Sequence, residues 1–230
     1  MRSSRLPSLL TAGVALSLAA ACGSSGSASP ARPTPRATSG YHGVEPTAAT
    51  GRARFALTDT TGASYDFFAR THGRPTFLYF GYTHCPDECP TAMADLAAAL
   101  RKRPTPTAQV VFVTTDPARD TAPVLRRWLD QFSAAFVGLR GTQAQVEAAL
   151  AAAGLPASKR EGPQPTLPGH PDQHPKEAGT APHRHDGPLG YAVSHAAVIL
   201  AYDVADRLPV AYPGGVTPSD IAADLPVLSS

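Results

Sequence analysis

Thr76-Phe77-Leu78-Tyr79-Phe80 is a continuous apolar run, and Cys85-Pro86-Asp87-Glu88-Cys89-Pro90 follows it after Gly81-Tyr82-Thr83-His84. A run this short, bounded by turn residues, reads as a strand buried on both faces. An Ala- and Leu-rich stretch then predicts a helix from about Cys85 or Pro86 to Leu100, stopped before Pro104. Two thiols therefore sit where a buried strand ends and a helix begins. First-turn N–H groups and the helix dipole favour thiolate there. The spacing places the thiols at i and i+4, on one helix face. Such a pair can close a disulfide, exchange disulfides or grip a soft metal. A plain structural disulfide is the bland alternative, but a loop this short contributes little closure entropy.

Working outward, strand and helix patterns alternate. Phe55-Ala56-Leu57-Thr58 and Ser64-Tyr65-Asp66-Phe67, around Asp59-Thr60-Thr61-Gly62, suggest a hairpin. Gln109 to Thr114 reads as another buried strand. Val124, Leu125, Trp128, Leu129 and Phe132 mark one helical face, and Val146, Ala149, Leu150 and Ala153 another. Ala196 to Tyr202 is a further buried strand, and Leu208 to Tyr212, holding Pro209, an edge strand. Thr217 and Pro218 open a last helix as N-cap and first position. The expectation is an α/β domain of thioredoxin-like plan, with a central, mostly parallel sheet flanked by helices and an N-terminal β-hairpin.

The ends and one interior stretch differ in kind. Residues 1–21 read as a secretory signal, with Arg2 and Arg5 ahead of the apolar Leu9 to Ala21. Leu18-Ala19-Ala20-Ala21-Cys22 resembles a bacterial lipobox, making Cys22 a lipidated first residue; ordinary cleavage after Ala21 would leave an odd free thiol. Residues 22–51, rich in Ser, Ala, Pro, Thr and Gly, read as a flexible, lipid-anchored tether. The domain is expected over 52–230. Within it, residues 155–190 form a Gly- and Pro-dense loop containing His170, His174, His183 and His185. Those histidines can collect metal or do nothing. Without the signal, the chain keeps 18 basic and 18 acidic residues and shows no basic stripe, which excludes nucleic acid as a partner.

Five residues beyond the thiols are candidates for chemistry or support. His195, just before a buried strand, offers an imidazole that would complete a three-donor site; the bland alternative is a core histidine. Asp116 follows the second buried strand, where sites form in open sheets, or it caps a turn before Pro117. Asp120 or Thr121 is expected to cap the next helix. His84 adjoins Cys85 as an accessory contact or a partly exposed neighbour.

Phe80 to Pro90 resembles the signature of the Sco/SenC family of copper-delivery proteins. Asp116-Pro117-Ala118-Arg119-Asp120-Thr121, Phe136 to Thr142 and Tyr191 to His195 resemble further segments of that family in the same order, over about residues 52 to 230. The resemblance implies a thioredoxin-like fold and copper, as Cu(I) and/or Cu(II), held by Cys85, Cys89 and His195, with Asp116 a flanking acid. It implies delivery to the copper-site subunit of cytochrome c oxidase, after receipt from an extracytoplasmic copper donor. With the signal and Cys22, it implies a lipid-anchored protein on the outer face of the bacterial cytoplasmic membrane. Ser194 stands where that family usually has Asp. The rival reading is a thiol–disulfide oxidoreductase that cycles Cys85 and Cys89 against a partner's cysteines.

Overall fold

The structure, a computed structural model, describes residues 40–47, 50–102, 108–161 and 191–230. The signal segment, Cys22, most of the tether and the four loop histidines lie outside the described residues. The elements run β1 (Ala56–Asp59), β2 (Ser64–Asp66), α1 (Phe67–Thr71), β3 (Thr76–Gly81), α2 (Glu88–Lys102), β4 (Gln109–Thr114) and α3 (Ala122–Asp130). They continue β5 (Val137–Arg140), α4 (Gln143–Ala152), β6 (Lys159–Glu161), β7 (Ala192–Ser194), β8 (Val198–Tyr202), β9 (Val210–Pro213) and α5 (Pro218–Leu228).

A seven-stranded sheet has the order β2-β1-β5-β4-β3-β8-β9. Helical crossovers through α2 and α3 make β3, β4 and β5 parallel neighbours. Every other pairing in this sheet is antiparallel. The sheet is therefore mixed rather than mostly parallel, because short connections such as those of β1–β2 and β8–β9 can only reverse the chain. The thioredoxin-like plan holds, with a central sheet flanked by helices. Strand β9 is an edge, as Pro209 indicated.

Alternation along the central strands feeds two cores. Phe77, Tyr79, Val110 and Phe112 face Met93 and Leu96 of α2, Leu125 and Leu129 of α3, and Ile221 and Leu225 of α5. Leu78, Phe80, Val111 and Val113 face Phe67 of α1 and Val146, Ala149 and Leu150 of α4. A strand buried on both faces must be apolar throughout, which is why 76–80 reads as a continuous run. Thr217 caps α5 in a reciprocal capping box with Asp220, and Thr142 does the same for α4 with Gln145.

Several departures have local causes. Helix α2 begins at Glu88, not at Cys85, because Cys85 precedes a proline, which disfavours helical backbone. Pro90 falls in the first turn, where its missing N–H costs nothing. The packed chain begins by Tyr41 rather than at Arg52: Val44 exchanges backbone hydrogen bonds with Ala211 at 2.8 Å each way, and the His42 amide donates to buried Asp224 at 2.9 Å. Residues 159–161 leave the expected loop to form β6, paired with β7 in a separate two-stranded sheet.

Asp120 caps no helix. Its buried carboxylate accepts from the Thr83 amide (3.0 Å), the Thr83 hydroxyl (2.6 Å) and the Thr114 hydroxyl (2.6 Å). Thr121 holds the α3 N-cap position without a side-chain bond. Asp120 thus ties the end of β4 to the segment between β3 and Cys85. Replacing Asp120 by Ala should lower unfolding free energy by about 3 kcal/mol, since bonds to a buried charge are lost. Asp120→Asn should lose less, as read from urea midpoints.

Candidate metal centre

The antiparallel ladder between β3 and β8 assembles the site. Its register pairs Tyr79 with Ile199, so the start of β8 lies beside the end of β3. His195, three residues before β8, is carried to the same sheet end as the thiols that follow β3. Its Nε2 lies 3.4 Å from Cys89 Sγ and 3.9 Å from Cys85 Sγ. The three donor atoms all fall within 4.8 Å of one another. Metal–sulfur and metal–imidazole bonds run roughly 2.0–2.3 Å, so small side-chain shifts bring all three onto one ion. Two soft sulfurs and a borderline nitrogen suit a soft, low-coordinate cation.

The two thiols are unequal. Cys89, second residue of α2, is fully buried, whereas Cys85 is partly exposed. The Cys89 amide, one of the orphan donors of the first helical turn, donates to Cys85 Sγ at 3.4 Å. The Cys85 thiol is lowered to about 4, first by the hydrogen bond from the Cys89 thiol, then by His195 and the Cys89 and Asp87 amides, against the opposing effect of burial. The Cys89 thiol is pushed up, first by its bond to Cys85 and then by burial. One proton thus stays on Cys89 while Cys85 is thiolate. The Tyr79 hydroxyl donates to Cys89 Sγ at 3.9 Å.

Room for the buried sulfur comes from Gly81. A Cβ there would lie 2.6 Å from Cys89 Sγ and 2.8 Å from Tyr79 Cε1. The glycine that ends β3 is the one mark of this arrangement in the sequence.

The imidazole is walled by aromatic rings. Tyr79 and Tyr82 meet His195 edge-on, with centroids 6.0 and 5.7 Å away. Its Nδ1 is buried with no hydrogen-bond partner among the described residues. Ser194 supplies no carboxylate; its hydroxyl donates to the Lys159 carbonyl at 3.3 Å.

The other candidates are not drawn into the cluster. His84 is half-exposed, with Nδ1 at 3.1 Å from the Thr83 hydroxyl and 3.7 Å from Asp120. Asp116 is fully buried; it accepts from the Tyr191 hydroxyl at 2.7 Å and pairs with Arg119. Its carbonyl also closes the turn through the Arg119 and Asp120 amides, in keeping with the turn reading.

Among the described residues, no helix is long and apolar enough to cross a membrane. A family model described as SCO1/SenC matches residues 44–171. Protein SenC of Rhodobacter capsulatus is 42% identical over 85 residues, 34% of this chain and 37% of its own. The mitochondrial protein SCO2 homolog of Mus musculus is 37% identical over 106 residues, 43% of this chain and 40% of its own. The chain spans less than half the length of these curated relatives. Among solved structures, Bradyrhizobium japonicum ScoI with copper bound is similar at TM-score 0.59 and 26% identity, over 78% of this chain and 100% of that one. Apo Sco1 from Thermus thermophilus is similar at TM-score 0.64 and 26% identity, over 84% and 100%.

The unequal thiols generate a pH expectation. In the reduced, metal-free protein, alkylation of Cys85 by iodoacetamide should rise through a midpoint near 4, against about 8.5 for an ordinary thiol. Cys89→Ser should move that midpoint upward. A wild-type midpoint above 8 would show that the Cys89 hydrogen bond does not hold the thiolate.

Proposed function

The chain belongs to the SCO1/SenC family, and on that premise we propose that it binds copper through Cys85, Cys89 and His195 and delivers it to the copper-site subunit of cytochrome c oxidase. The observation that carries this reading is the three-donor cluster, two sulfurs and one imidazole nitrogen within 4.8 Å of one another. Thiolate donors match Cu(I), and the imidazole helps to hold Cu(II). The copper-bound ScoI of Bradyrhizobium japonicum supports copper as the cargo.

Transfer would proceed by ligand replacement, so that copper is never free. An acceptor ligand would enter at the partly exposed Cys85–His195 side, the imidazole would leave first, and the buried Cys89 sulfur would leave last. In this reading Cys22 carries the lipid and residues 23 onward tether the domain outside the cytoplasmic membrane. A tether raises the effective concentration toward a membrane-bound acceptor. A copper donor on the same side of the membrane would load the site.

The low thiol of Cys85 also favours a second reading, thiol–disulfide exchange with a partner's cysteines, with Cys85 as the attacking thiolate. His195 separates the two, because exchange needs no third ligand. In a chelator-competition titration of the reduced full chain, His195→Ala should bind copper at least tenfold more weakly than wild type, on the order of one lost ligand. Equal affinity would rule out the three-donor site. A wild type that binds no copper but rapidly reduces a disulfide substrate would replace delivery by exchange.

A further inference from the structure

We infer that Asp116 and Arg119 are positioning residues for His195, acting through Tyr191. The inference rests on the copper reading for its consequence and on geometry for its content. Strand β7, whose last residue precedes His195, is three residues long and, among the described residues, pairs with β6 in a sheet outside the main one. A strand pair that small is not stable by itself. Val193 of β7 is buried in the main core and bonds to Tyr82, and the polar contacts that hold the entry to the strand converge on Tyr191, immediately before β7.

Three of these contacts come from the loop after β4. The Tyr191 hydroxyl donates to Asp116 Oδ1 at 2.7 Å. Arg119 Nη1 donates to the Tyr191 carbonyl at 3.0 Å. The Arg119 guanidinium lies 3.9 Å from the Tyr191 ring centroid, and that of Arg160 in β6 lies 4.9 Å from it. Asp116 is itself fixed: its amide donates to the Thr114 hydroxyl at 3.0 Å, and its carboxylate pairs with Arg119. The loop therefore grips Tyr191 by its hydroxyl, its carbonyl and its ring.

A second route reaches the imidazole from the side. The Arg119 guanidinium also stands 5.6 Å from the Tyr82 ring centroid, and Tyr82 is one of the two rings against His195. Both routes matter because the Nδ1 of His195 has no hydrogen-bond partner among the described residues. An imidazole ligand is ordinarily oriented by a hydrogen bond from its second nitrogen. Here the direction of Nε2 depends on the backbone that delivers the residue and on the rings beside it. Asp116 and Arg119 act on the backbone through Tyr191, and Arg119 also on one of the rings, Tyr82.

Tyr191→Phe removes one hydroxyl and keeps the ring, so it tests the grip with little risk to folding; Asp116→Asn is the companion variant. In Cu(I) competition titrations of the full chain, Tyr191→Phe should weaken binding about tenfold, the scale of lost outer-shell support. In a His195→Ala background the same change should have no effect, because the ligand it positions is gone. In the metal-free chain the His195 ring resonances should shift in Tyr191→Phe. Equal weakening in both backgrounds would assign Tyr191 a general structural role and overturn the inference. Wild-type affinity in Tyr191→Phe and Asp116→Asn, with His195→Ala weakened, would overturn it and leave the copper reading standing. Absence of copper binding in wild type would overturn the copper reading alone; the ring resonances then decide the positioning, and unchanged resonances overturn it.

Discussion

The ladder between β3 and β8 is the constraint on which the rest depends. Two thiols and an imidazole separated by 106 to 110 positions meet because these strands run antiparallel with Tyr79 opposite Ile199. Sheet pairing has a side-chain period of two, so a slip of one residue would exchange the faces of every side chain on β8. Ile199 and Ala201 belong to one core and Leu200 and Tyr202 to the other, so a slip would misplace both. The hydrophobic cores thus enforce the register that the polar site requires. Stability and site geometry are coupled here through the same few residues.

Around that ladder the site is one-sided. Cys89 is sealed beneath Tyr79 and the bare backbone of Gly81, while Cys85 and His195 stay partly open. The helix start at Glu88 contributes to this asymmetry. Had α2 begun at Cys85, both sulfurs would lie on one helical face. Pro86 prevents that, and Cys85 instead caps the first turn from outside, receiving the Cys89 amide. The same two elements, a proline and a helix end, give the thiols different surroundings from a symmetric motif.

What was legible in the sequence is what repeats or punctuates. The apolar run 76–80, the matching run 109–114 and the Thr217–Pro218 helix start are local signals, and the structure shows them as β3, β4 and α5. His195 could be offered as a third donor from its place before a buried strand, but its grouping with Cys85 and Cys89 became more than one alternative only through a family resemblance that joined distant segments. What was not legible depends on tertiary partners. Lys159-Arg160-Glu161 is exposed along its length and has no alternation, yet it pairs with β7. Asp120 looks like a helix cap, but three donors from two other segments claim its carboxylate. Nothing local foretells that Arg119 would reach Tyr191, 72 positions away.

The inequality of the two sulfurs has a stoichiometric consequence. Cys85 has already surrendered its proton near neutral pH, and Cys89 retains its own. Of the two thiols, only the buried one therefore has a proton to give up when a soft cation takes both sulfurs. The interior around Cys89, built of Tyr79, Met93 and Phe112, is spared a second negative charge in the empty state.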